Sequence, residues 1–357
     1  MRQPWLVSAR FDCSWIIAPA FISSAIALLL PSFGGPVRQV SAIQWFFLVV
    51  CIDVAHVYST TYRTYFDSEE RGRYRGLLLS LPLFAWLIGA LLYSYSSALF
   101  WSALAYIAVF HFIRQQYGFM ALYRRHDRPE GRWLDTLAVY LATIYPLMYW
   151  HAHLPRGFNW FVDGDFVFNV PSWLATATGL VWLLVLMAFI GKELQAYRRG
   201  VVLNLPKIGI ILGTALAWYV GIVHFNADLP FTLTNVVSHG VPYMALVWAY
   251  ERRKYVGVQH GSRMQKFFSP KMVPVYLGIL IAFAFFEEGL WDALVWRDHK
   301  SLFEGFWSLP RIKDISLLAL IVPLLSVPQT THYLIDAFIW RLRKPNSELA
   351  EFLPGSV

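Results

Sequence analysis

Four histidines stand where a polypeptide seldom tolerates an ionisable group. His56, His111, His239 and His332 each lie inside a long apolar stretch. Titratable side chains in such surroundings are costly unless they face a bundle interior and serve a site. Each has polar company three or four residues away, a spacing that puts side chains on one helix face. Asp53 precedes His56, Gln115 follows His111, Asn235 precedes His239, and Gln329 and Asp336 flank His332. Neutral imidazoles ligate metals, and an acid or amide beside each fixes its tautomer and raises its basicity. Three or four imidazoles with carboxylates at hand suit iron, zinc or copper; spacing does not choose among them. Tyr243, one turn beyond His239, is a candidate catalytic group that could hydrogen-bond an oxygen species. For any single histidine the alternative is a buried ring bonded to a neighbouring helix.

One ion can gather these residues only if their helices bring them to one depth. The 357 residues are 57% hydrophobic and 15% charged, against roughly 45–50% and 25% in soluble domains. That balance excludes a conventional water-soluble enzyme and a disordered chain. A membrane-crossing helix needs about 20 mostly apolar residues. Ten such runs occur, at 14–31, 41–62, 76–93, 97–122, 134–152, 172–192, 206–225, 230–250, 272–291 and 315–340. The predicted fold is all-α, a polytopic transmembrane helical bundle forming one integral membrane domain over 1–357. The first run ends at Leu30 and Pro31 without a small-residue cleavage site, which reads as a retained span. The four histidines fall on spans 2, 4, 8 and 10, which all run in one direction. Counted from the span ends, they lie roughly 9–17 Å from the same side at the helical rise. They share a layer.

A net charge of +8 would suit a nucleic-acid partner until it is mapped. Alternate loops on one side collect 23 of the 30 basic residues, from Arg2 and Arg10 to Arg341, Arg343 and Lys344. The other side holds Arg38, Arg156, Arg297, Lys300, Arg311 and Lys313. This is the positive-inside pattern of a multi-pass cell (inner) membrane protein with both termini cytoplasmic, and it removes the argument for nucleic acid. Arg114 is left inside span 4 and calls for a counter-ion, with Asp53 or Asp336 as candidates; the alternative is an anionic head group. The outer segments near 153–171 and 292–314 are rich in Phe and Trp and read as an interfacial aromatic belt, with a lid over an apolar cavity as the alternative. His224 ends span 7 and reads as interfacial. Phosphate loops, nucleophile elbows and His-Glu-x-x-His motifs are absent from the sequence.

The histidine-bearing segments read Asp53-Val-Ala-His56, Phe110-His111-Phe112, Val237-Ser238-His239 and Ser326-Val-Pro-Gln-Thr-Thr-His332-Tyr-Leu-Ile-Asp336-Ala-Phe-Ile-Trp-Arg341. In order and approximate spacing, across about residues 50–341, this resembles the Brp/Blh family of membrane β-carotene 15,15′-dioxygenases. That family carries a His-Gly-Ala-Leu-Asp segment, an Ile-His-Phe-Gly segment, a later pair of histidines four apart, and a Val-Pro-His…Leu-Ile-Asp-Phe-Ile segment. The resemblance implies a histidine-held non-haem iron in an all-helical membrane enzyme that acts with O₂ on an apolar polyene. His56 and His111 match the first two family histidines, and His239 matches one of the later pair. The partner of His239 would be Tyr243 or Asn235, neither of them histidine, and the last family histidine aligns with Thr331 or His332.

The function expected from the sequence is therefore a membrane-embedded iron-dependent oxygenase or oxidoreductase. Fe(II) is the expected cofactor, with Zn or Cu as alternatives, and the partners are O₂ and a lipophilic small molecule, carotenoid-like or lipid, drawn from the bilayer. Its metal would be held by His56, His111, His239 and His332, and these would be oriented by Asp53, Gln115, Asn235, Gln329 and Asp336. A rival reading is a proton- or ion-coupled transporter using Asp53, Asp336, Arg114 and the histidines, although inverted repeats and paired broken spans are not evident in the sequence. A third is a haem electron carrier with axial histidines.

Overall fold

The computed structural model describes residues 3–30, 40–127, 129–258 and 263–340. Arg2, Arg38, Arg128, Arg341, Arg343 and Lys344 of the charge pattern lie outside the described residues. Every regular element among the described residues is helical. Helices stand at all ten places marked by hydropathy. They are α1 (Ala9–Leu29), α2 (Ala42–Arg63), α3 (Arg75–Tyr95) and α4 (Ser97–His126), α5 (Arg132–Ala152), α6 (Ser172–Arg198) and α7 (Leu205–His224). There follow α8 (Asp228–Val258), α9 (Pro270–Trp296) and a bent pair, α10 (Ile315–Leu325) and α11 (Val327–Ile339).

Seven of these helices are long and apolar enough to cross a membrane, and the bent pair makes an eighth if it is one span. The other two expected spans, α5 and α8, have 21 and 31 residues but fall short in apolar composition. Burial explains the shortfall. Helix α5 turns Asp135, Thr143 and His151 inward, and α8 buries Thr234, Asn235, Ser238 and His239. A helix screened by its neighbours needs no continuous apolar surface.

The described residues fall into two compact units. The first holds 3–30 and 109–242. Asp12 anchors its N-terminal end, accepting from the backbone of Leu6 at 2.5 Å and from the Tyr123 hydroxyl at 3.1 Å. Buried Lys207 sits among three acids, 2.9 Å from Asp127, 2.8 Å from Glu193 and 3.5 Å from Asp135. Lys192 bonds Asp135 as well. Where α7 meets the start of α8, a Cβ on Gly221 would lie 2.1 Å from the Thr234 hydroxyl, so only glycine permits that approach. The segment after α5 folds inward: Phe158 and Phe166 are buried against Trp150, and Trp160 meets Phe112 edge-on at 5.0 Å. Two of the rings expected in a belt, Phe158 and Phe166, thus pack inward around Trp150, and Phe158 also stacks on Phe231, while Phe168 stays 43% exposed.

The second unit holds 40–108 and 243–340. Ser41 and Gln44 form a reciprocal capping box at the start of α2. Residues Phe46–Val54 of α2 wind as a π-helix that leads directly into His56. Pro323 lies within α10 and Pro328 in the first turn of α11. A proline lacks the amide proton a helix interior uses, and the axis bends by 42° between them. Asp292 ties down the segment after α9, accepting from the backbone of Asp298 and His299 and from the Trp307 indole at 2.6 Å. Here too the aromatic segment packs: Phe303 is buried, with its ring centroid 5.0 Å from that of Phe285.

Candidate metal centre

All four histidines are buried, with 1%, 4%, 0% and 2% of their surface exposed for His56, His111, His239 and His332. In the first unit the rings of His111 and His239 meet edge-to-face with centroids 5.0 Å apart. Phe112 lies flat on His239 at 3.6 Å, which leaves the imidazole edge, where its nitrogens are, as the surface for bonding. In the second unit His56 and His332 adopt the same edge-to-face arrangement, again at 5.0 Å. One ligating nitrogen from each of the four lies within 4.8 Å of all the others.

That spacing can be weighed against an ion's demands. Imidazole nitrogens bind divalent zinc at about 2.0–2.1 Å, so opposite ligands of one ion are about 4.2 Å apart and adjacent ones nearer. The upper bound of 4.8 Å exceeds this by about 0.6 Å, a gap small χ rotations close. The donor set fits a borderline divalent metal, being all nitrogen with neither thiolate nor ligating carboxylate.

The groups around the rings follow from helix chemistry. Pro242 in α8 has no N–H to return to the carbonyl four residues back, which is that of Ser238. Two glutamines of α4 serve this stretch: Gln115 donates to the His239 carbonyl at 2.8 Å and Gln116 to the Ser238 carbonyl at 3.4 Å. Gln116 also accepts from Thr214 of α7. The amide expected to face the His111 ring thus holds the His239 backbone. Asn235 donates to the Phe231 carbonyl. Gln329 is half-buried and makes no side-chain hydrogen bond among the described residues.

The acids stand closer to the imidazoles. An Asp53 oxygen lies 3.7 Å from His56 Nδ1, beyond hydrogen-bond reach but near enough for its charge to act. An Asp336 oxygen lies 3.9 Å from His332 Nδ1, and a chain of shorter bonds connects them. His332 Nδ1 is 2.7 Å from Thr60 Oγ1, which is 2.8 Å from the Tyr243 hydroxyl. That hydroxyl donates to Asp336 at 2.6 Å. The carboxylate sets the direction of the whole chain. Tyr243 has one proton and gives it to Asp336, so Thr60 gives its own to Tyr243 and must accept from His332 Nδ1–H. The lone pair of His332 then resides on Nε2.

Tyr243 also receives the Trp340 indole at 3.4 Å. Its one proton and both lone pairs are engaged, so it is a link in this chain rather than a group presenting a proton to a substrate oxygen. Thr60 has no place in a search for acids and amides, yet it stands four residues after His56, on the same face that singled out the other polar neighbours. Arg114 takes a different course from the expected ion pair: it is exposed and donates to the Tyr140 hydroxyl at 2.5 Å.

Compared with protein-family models, with curated proteins and with solved structures, the chain matches none.

Proposed function

We propose that this chain is a multi-pass inner-membrane metalloenzyme, an iron-dependent oxygenase whose single ion is held by His56, His111, His239 and His332. The observation that carries the reading is the convergence of four buried imidazole nitrogens within 4.8 Å. Ten crossings with both termini cytoplasmic agree with helices at all ten apolar runs and with the sorting of basic residues to alternate loops. Bound iron(II) with nitrogen ligands would supply open positions for O₂ and for redox chemistry at a lipophilic substrate.

The chain's own residues do the remaining work. Asp336, through Tyr243 and Thr60, holds His332 in the tautomer whose Nε2 carries a lone pair. Asp53 and Asp336 place negative charge near an ion that four neutral ligands leave uncompensated. Phe112 fixes the plane of His239. A substrate that partitions into hydrocarbon reaches such a site sideways, without crossing water, and a carotenoid-like or lipid molecule satisfies that demand.

Elemental analysis and an optical spectrum of the detergent-purified protein test the reading. The expected result is one iron per chain with no Soret band, and loss of that iron in His111→Ala with circular dichroism unchanged. A His111→Ala protein with full metal content would overturn the ligand set. A wild-type protein that takes up no metal, but drives pH-dependent uptake in liposomes, would replace the enzyme with a transporter.

A further inference from the structure

Helix α4 carries an arginine in its interior that its surroundings do not balance. Arg114 lies 12 residues before the end of α4 at His126, about 18 Å along the axis, in a helix otherwise apolar enough to cross a membrane. It is exposed. Of its five N–H groups one is accounted for, by the Tyr140 hydroxyl, and its guanidinium lies 4.7 Å from the centre of the Tyr117 ring. Among the described residues no carboxylate comes within ion-pair distance of Arg114. The same holds for Arg124, whose guanidinium lies 5.7 Å from the centre of that ring and donates to the Arg132 carbonyl at 2.6 Å, the Thr136 hydroxyl at 2.8 Å and the Tyr117 hydroxyl at 3.4 Å, neutral partners all.

The face around these cations has a direction. Phe110, Arg114 and Tyr117 follow one another along α4, and Leu137 and Tyr140 do so along α5, at spacings that share a helix side. Phe110 is 61% and Leu137 41% exposed. Arg124 lies at the end of α4, beside the other basic residues of that loop. Arg114 is about 15 Å deeper by its place on the helix but extends its head toward the Tyr117 ring, as long cationic side chains do in lipid. Phe110 is deeper still. Cation, aromatic, cation, apolar surface is the order in which a lipid presents its head group and chains.

We propose that this face of α4 and α5 seats one acidic phospholipid, its phosphate held between Arg114 and Arg124 and its chains laid over Phe110 and Leu137. Charge complementarity selects this occupant. A second copy of the chain would bring the same arginines to the contact, and like charges oppose it. A zwitterionic lipid offers the phosphate together with a cation. The inference is independent of the metal centre, because it rests on other residues of α4 and on α5.

Native mass spectrometry of the full chain in detergent, with phosphatidylglycerol or phosphatidylcholine added, reads the outcome. Wild type should retain one phosphatidylglycerol at least tenfold more tightly than phosphatidylcholine. Arg114→Leu, which places an apolar residue on an exposed apolar face, should bind both lipids alike, while Arg114→Lys keeps part of the preference. If Arg114→Leu does not yield folded protein, Arg124→Gln and Tyr140→Phe provide the same comparison, each lowering the preference severalfold. Equal binding of the two lipids by wild type would overturn the proposal, as would an undiminished preference in the folded variants. A wild-type dimer that Arg114→Leu dissolves would also overturn it, by showing a second copy on this face.

Discussion

Replacing Thr60 by Val tests how the site is held, because it removes one oxygen and little else. The two side chains have nearly the same shape, and Thr60 is buried, so packing is retained. Two bonds are lost, the 2.7 Å contact to His332 Nδ1 and the 2.8 Å contact to Tyr243. A buried donor left without its acceptor costs about 1–3 kcal/mol. His332 can relieve that cost by moving its proton from Nδ1 to Nε2, which withdraws the lone pair from the ion. Loss of such a supporting partner lowers metal affinity about 10–100-fold, or roughly 1.4–2.8 kcal/mol. Anaerobic competition titration of Fe(II) or Co(II) against a chromophoric chelator measures the change. Thr60→Ser, which restores the hydroxyl, should return affinity to within a few-fold of wild type. Equal affinities for wild type and Thr60→Val would refute the directed chain from Asp336 to His332, even with all four ligands in place.

Three further substitutions probe the scaffold. Gly221→Ala forces a methyl group to within 2.1 Å of the Thr234 hydroxyl and should destabilise the protein by about 1–3 kcal/mol; Gly278→Ala, which meets nothing within 4 Å, is the neutral control in the same thermal melt. Lys207→Met leaves the buried acids near Asp127, Asp135 and Glu193 short of a cation and should cost about 3–5 kcal/mol, read as a lower chemical-denaturation midpoint in detergent; an unchanged midpoint would show that Lys192 alone suffices. Gln115→Leu removes the donor to the His239 carbonyl and should cost about 0.5–1.5 kcal/mol while leaving metal stoichiometry intact. If that variant instead lost its metal with no change in melting, Gln115 would act on the ion and not on the backbone of α8.

The all-helical class was legible because apolar runs of membrane length leave few alternatives, and helices occupy all ten of them. The span count was less so. Helices α5 and α8 bury polar residues that lower their apolar composition, and composition alone does not tell such a helix from one that does not cross a membrane. The four histidines stood out by rarity and shared depth. Their partners were only partly visible, since spacing along one helix cannot say which neighbouring helix a side chain will reach. Gln115 shares a face with His111 in sequence but serves the carbonyl of His239. Thr60 carries no signal in the sequence because a hydroxyl is common in apolar helices, and only the positions of Tyr243 and His332 give it a role. Phe158 and Phe166 resemble belt residues in sequence, and their burial depends on the cleft that Trp150 and Phe231 provide.

X-ray absorption at the iron edge of the purified wild-type protein addresses the central claim most directly. Four imidazoles on one ion predict a first shell of about four nitrogens near 2.1 Å, with the outer-shell scattering of histidine rings and no sulfur. A shell of sulfur, a porphyrin signature, or protein that binds no iron when reconstituted would contradict it.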